Sequence, residues 1–74
     1  MPVQIVMDRS GDTRHAFDAS DADAIGAAED RFKELTRRGY RAVALGKDGK
    51  PGDLLTRFNP EVEETLFVPQ LVGG

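Results

Sequence analysis

The chain has 74 residues, 39% of them hydrophobic and 31% charged, with a formal net charge of −3 and no cysteine. A chain of this size makes one small domain that buries about 60% of the surface its unfolded form exposes, leaving little room for an enclosed active site. The acidic balance argues against a general nucleic-acid binder, and the missing cysteine removes disulfides, a thiolate nucleophile and cysteine metal sites. No apolar run approaches the roughly 20 residues that span a bilayer, and no basic-then-apolar leader opens the sequence. A cytoplasmic protein that meets neither membrane nor nucleic acid is expected.

Val3, Ile5 and Met7 alternate with Gln4, Val6 and Asp8, the period-two signal of a strand with one apolar face. Pro2 sits just ahead, where a missing donor does little harm. Arg9, Ser10, Gly11 and Asp12 are turn formers, and Thr13 to Phe17 can return as a second strand, so a hairpin is predicted. Next comes a helix from about Asp21 to Arg38. Ser20 with Asp23 approximates a capping box at its start. Ile25, Ala28, Phe32 and Leu35 recur at spacings that put them on one face. On the polar face, Glu29–Lys33 and Glu34–Arg38 are acid-before-base pairs at i, i+4, each contributing about 0.2–0.5 kcal/mol. Asp21 and Asp23 at the front and Arg37 and Arg38 at the back suit the helix dipole, and Gly39 is a natural left-handed stop.

Tyr40 to Leu45 reads as a third strand, apolar enough on both faces to lie inside a sheet. Gly46 to Gly52 is a run of turn formers, and Asp53 to Phe58 a shorter strand ended by Asn59-Pro60. Glu64 to Val68 mixes β-branched and aromatic residues and makes the final strand, closed by Pro69. The order predicts an α+β domain over residues 1–69, with a mixed four- to five-stranded sheet and one helix packed on one face. The last strand, being the most apolar, belongs at the centre beside the first.

Catalytic chemistry finds little support. His15 is the single histidine and has no cysteine to activate. Asp12, His15 and Asp18 show no recognised metal-ligand spacing. Gly46-Lys47 resembles the end of a phosphate-binding loop, but Asp48 follows the lysine and Arg41 stands where the first glycine should be. Asp48 to Asp53 lacks the alternating acidic ligands of a calcium loop and reads as a hairpin turn. Arg37, Arg38 and Arg41 read as a solvated helix end or as a docking patch.

The informative stretch is the last one. After Pro69 come Gln70, Leu71, Val72, Gly73 and Gly74. Two apolar side chains on a tail either pack back on the domain or are read by a partner through backbone bonds and side-chain pockets. Two glycines lack side chains and let backbone approach another protein closely. A frayed terminus is the plain reading; a flexible tail over residues 70–74 that threads a narrow cleft to present its carboxylate is the functional one.

The hairpin, single amphipathic helix, further strands and Gly73-Gly74 ending resemble the β-grasp, ubiquitin-like superfamily. The stretch from Glu64 through Pro69 to Gly74 is similar to the end of the sulfur-carrier branch, which includes the molybdopterin-synthase small subunit. The whole chain looks like the small ubiquitin-like proteins encoded in bacterial operons beside activating, conjugating and deconjugating enzymes. It departs from the carriers in having Asn59-Pro60-Glu61 before the last strand and Pro69-Gln70 before the tail. Unlike ubiquitin it has no arginine in the tail, and its lysines are Lys33, Lys47 and Lys50.

What the resemblance implies is a substrate, not an enzyme. An activating enzyme using ATP and Mg would adenylate the Gly74 carboxylate, and the acyl group would pass to a nucleophile of the partner and then to a protein target. A conjugating enzyme and a metalloprotease deconjugase are the further partners implied. Gly73 would fit the activating cleft, and Leu71 and Val72 would anchor the tail. The alternative the resemblance implies is a sulfur carrier bearing a thiocarboxylate at Gly74 for cofactor biosynthesis. No cofactor or metal bound by the chain itself is expected.

Overall fold

The structure, a computed structural model, describes residues 1–46 and 51–69. Its elements are β1 (Val3–Asp8), β2 (Gly11–Ala16), α1 (Ala22–Arg37), β3 (Tyr40–Leu45), β4 (Pro51–Leu55) and β5 (Glu64–Pro69). They build one five-stranded sheet in the order β2-β1-β5-β3-β4, with α1 packed on one face. β1 and β5 run parallel, and the other neighbours run antiparallel. This is the arrangement of a β-grasp fold. As the sequence predicts, β5 is central and lies beside β1.

Arg9 and Ser10 connect β1 to β2. Asp8 Oδ1 accepts from both the backbone N–H (2.8 Å) and the hydroxyl (2.6 Å) of Ser10, and these bonds hold the Asp8 carboxyl below its usual range. Among the described residues only glycines have positive φ, so Arg9 and Ser10 cannot form the mirror-image turn that usually closes a two-residue hairpin. Gly11, at φ 122°, takes up the reversal instead.

The start of α1 differs from the expected capping box. Ser20 turns back, its hydroxyl donating to Asp18 Oδ1 at 2.6 Å. Asp21 is the cap, accepting from the N–H groups of Asp23 (3.0 Å) and Ala24 (3.4 Å). A carboxylate one residue on both accepts the orphan donors and meets the positive end of the helix dipole, which a serine hydroxyl does less well. The far end is as expected, with Gly39 at φ 99°.

Ala28, Phe32 and Leu35 are buried along α1, while Ile25 is half-buried. Phe32 and Leu35 meet Ala42 and Phe67 from the sheet, with Val6, Tyr40, Leu55 and Phe58 around them. Phe32 stacks edge-on against Phe67 (5.7 Å between ring centres) and Phe58 (6.1 Å), and Phe58 meets Phe17 at 6.0 Å. Such edge-to-face pairs contribute about 0.5–1.5 kcal/mol beyond the area they bury. Phe58 was expected as the end of the fourth strand. The strand instead stops at Leu55, and the following bend turns the Phe58 ring into this cluster.

β1 corrects the reading of its faces. Val6 packs on the helix-side core, and Gln4, 1% exposed, donates from Nε2 to the Ala28 carbonyl at 2.9 Å. Gln4 and Val6 therefore face the helix, and Val3, Ile5 and Met7 face away from it.

Candidate interaction surface

Strand pairing places side chains of successive rows on alternating faces. The row Val6–Phe67–Ala42–Leu55 lies under the helix. The adjacent row, Arg14–Ile5–Leu66–Val43–Leu54, crosses all five strands on the face opposite α1. Val3 and Met7 share that face on β1, Val68 on β5 and Arg41 on β3.

A sheet solvated on one face ordinarily alternates apolar-in with polar-out. Here the outward row is itself apolar over four strands. On this face Ile5 is only 5% exposed, whereas Leu54 at 54% and Met7 at 43% stand open. A contiguous apolar surface of this kind, rimmed by charge, marks a protein–protein site more often than a solvated face. The rim is supplied by Arg14, paired with Asp12 at 3.6 Å, by Glu64 and by the exposed Arg41.

β5 ends at Pro69, at one end of this surface. Val68 pairs with Arg41 and the exposed Pro69 with Tyr40, so the last described residues lie between β1 and β3. The sequence-derived site residues Gly74, Gly73, Val72 and Leu71 lie outside the described residues, as do residues 47–50 of the turn expected over Gly46 to Gly52, whose Pro51 and Gly52 instead open β4. The geometry adds the open face, which the sequence reading missed. Its signal was present in Val3, Ile5 and Met7, but it takes the strand register to show that they and Leu66, Val43 and Leu54 share a surface.

The other singled-out residues separate. Asp12 pairs with Arg14 on the open face, Asp18 is bonded to Ser20, and His15 lies on the helix side beside Gln4. Burial, with a smaller contribution from the nearby Arg31 charge, lowers the His15 pKa from its ordinary value. Among the described residues no group of three His, Asp or Glu side chains is placed to hold a metal ion, and no helix is long and apolar enough to cross a membrane. The basic cluster divides too. Arg37 and Arg38 both hold Glu34, at 2.7 and 3.1 Å, and pull its carboxyl below the usual range, while Arg41 belongs to the sheet.

Fold and surface together define a β-grasp domain with an apolar sheet face opposite α1. No family model, curated protein or solved structure matches the chain.

Proposed function

We propose that this protein is a ubiquitin-like modifier of bacterial type, conjugated to other proteins through Gly74. The observation that supports the reading best is the position of β5. The strand that leads to the glycines is the central one, held by β1 and β3, and it ends at Pro69 beside an apolar face that a partner can grip. A rigid base and a side-chain-free end are what delivery of a carboxylate into a deep cleft requires.

The chemistry belongs to the partner. A Gly74 carboxylate oxygen, native or exposed by cleavage, attacks the α-phosphorus of Mg-ATP, and pyrophosphate leaves. The acyl-adenylate is then attacked by a partner nucleophile such as a thiolate, with AMP leaving. A target amine next takes the acyl carbon, loses its proton, and releases the thiol as an amide forms. This chain supplies the carboxylate, the slender tail and the docking face, and it acts as a substrate throughout.

The test is incubation with an adenylating enzyme of the kind that activates ubiquitin-like proteins and Mg-ATP, read by intact mass. An adenylate or covalent adduct is expected with the full chain and none with Gly74 deleted. No adduct, or equal yield without Gly74, overturns the proposal. A mass gain matching exchange of one oxygen for sulfur at Gly74 assigns the chain to the sulfur carriers instead.

A further inference from the structure

We propose that the cleft between α1 and the segment following β4 holds an apolar side chain and an adjoining carboxylate of a partner protein. This site shares no residue with the open sheet face or with the tail.

The pairing of β3 with β4 shifts register between Val43 and Leu45, and β4 stops at Leu55. The chain then bends through Thr56 and Arg57, and Phe58 turns in to meet the rings of Phe32 and Phe17. On α1, Glu29, Phe32, Lys33 and Thr36 stand at i, i+3, i+4 and i+7, one stripe of the helix. Between that stripe and the stretch from Thr56 to Phe58 is a cleft of about 410 Å³. Phe32 is 4% exposed and Phe58 half-buried, so Phe58 is the ring with apolar surface left to offer. Neither wall presents a strand edge, because α1 spends its backbone groups within the helix and β4 has already ended. An occupant is therefore held by its side chains.

The charges select an anion. Glu29 and Lys33 stand 4.0 Å apart, with side chains 47% and 71% exposed, a loose surface pair that contributes little. Arg57 is exposed and pairs with no carboxylate among the described residues, including Asp53, Glu61 and Glu63 of its own stretch of chain. Two cations against one carboxylate leave the cleft positive in a chain whose net charge is −3. An incoming Asp or Glu would complement Arg57. Of the two hydroxyls, Thr36 Oγ1 already donates to the Phe32 carbonyl at 2.9 Å, whereas the exposed Thr56 can donate to an incoming oxygen. The exposure of Lys33, Thr56 and Arg57 favours a protein segment over a free small acid. Small-ligand sites bury about 70–90% of what they hold, and this cleft is too open for that. A protein brings its own surrounding contacts, which exclude water from a central apolar anchor.

A phage-displayed library of random twelve-residue peptides, selected on the intact chain and counter-selected on Arg57→Glu, tests this. Arg57 is exposed, so the variant should keep the circular dichroism spectrum and thermal midpoint of the native chain. The expected binders place Asp or Glu beside a large apolar residue. The strongest, titrated into ¹⁵N-labelled protein, should shift the amides of Glu29 to Thr36 and of Thr56 to Phe58. Arg57→Glu should weaken it roughly three- to tenfold, and Lys33→Glu by less, since Lys33 is shared with Glu29. Exchanging the peptide's acidic residue for Lys should restore affinity for Arg57→Glu. The proposal is overturned if no peptide tells the two proteins apart, if those that do lack a carboxylate, or if their shifts fall on β2 or the open face. It is overturned equally if phenylpropionate binds as tightly as the peptide, the mark of a small-acid site. Shifts at these amides that grow with protein concentration alone would assign the cleft to a second copy instead.

Discussion

Gln4 and Ala28 stand 24 positions apart and are joined by a 2.9 Å hydrogen bond from the glutamine amide to the helix carbonyl. The same side chain accepts from Arg31 Nη1, also at 2.9 Å, so both ends of a buried amide are satisfied. The bond fixes where the helix sits along β1, since sliding it one turn would present a different carbonyl. Gln4→Ala should therefore cost about 1–3 kcal/mol, because it removes both bonds, strands the Arg31 guanidinium and opens a gap. Gln4→Met, which keeps most of the volume, should cost less. Urea unfolding midpoints of the two variants check the order.

Phe67 is fully buried where the ring of Phe32 and the chain of Ala42 meet it. Truncation to Ala should cost about 3–5 kcal/mol. A domain this small has total stability near the low end of 5–15 kcal/mol, so Phe67→Ala should be largely unfolded at 37 °C by circular dichroism.

These two residues show what was legible in advance. Phe67 was readable because its strand is locally unambiguous, as is β3, whose bounds are marked by the Gly39 stop before it and Gly46 after it. Gln4 was not, since a polar residue between Val3 and Ile5 looks outward until a helix carbonyl is placed above it. Phe58 misled for a related reason: its position follows from Phe17 and Phe32, which are distant in sequence. Asp21 rather than Ser20 capped the helix because two adjacent capping residues compete and the choice depends on Asp18. The candidate site divided along the same line. The tail residues Leu71 to Gly74 can be picked out one by one from the sequence, but a surface assembled from four strands needs their register.

The open face and the helix-side core should separate in their effects. Leu54 is 54% exposed, so Leu54→Asp should change stability by no more than about 0.5 kcal/mol. If the activating enzyme grips this face, the same change should raise the Kd for that enzyme roughly tenfold, since it places a charge against an apolar partner. Calorimetric titration against the enzyme, with the thermal midpoint as control, reads both. Unchanged affinity would remove the open face from the recognition model while leaving the role of Gly74 untouched.

His15 should make the fold sensitive to mild acid. Burial first, and the Arg31 charge second, lower its pKa below the ordinary value of about 6.5. Between the folded pKa and that value the unfolded chain binds more proton than the folded one, so stability should fall as pH drops through that window. Asp8, Asp18 and Glu34 are also lowered, but their contributions are lost at more acid pH, below the ordinary carboxylate values. Unfolding midpoints from pH 7.5 to 5 should decline for the native chain and flatten in His15→Asn. The His15 ring proton resonance should titrate below pH 6.5.

Gly52 offers the sharpest test of the β4 edge. A Cβ there would lie 2.8 Å from the Ala44 carbonyl oxygen, a backbone atom that cannot swing aside as a side-chain tip could. Gly26, by contrast, has nothing within 4 Å of such a Cβ and sits in the second turn of α1, inside the helix, where alanine is the better helix former by about 1 kcal/mol. The same substitution should therefore act in opposite directions at the two sites. Gly26→Ala should raise the thermal midpoint, and Gly52→Ala should lower it by an amount corresponding to about 1–3 kcal/mol of overpacking. Since relief requires β4 to move away from β3 next to the register shift, the amides of Val43 and Leu54 should lose hydrogen-exchange protection in Gly52→Ala. The β1–β5 pair, two strands away, should keep its protection. Loss of protection across the whole sheet would mean that β4 is integral to the fold's cooperativity and not an edge that yields by itself.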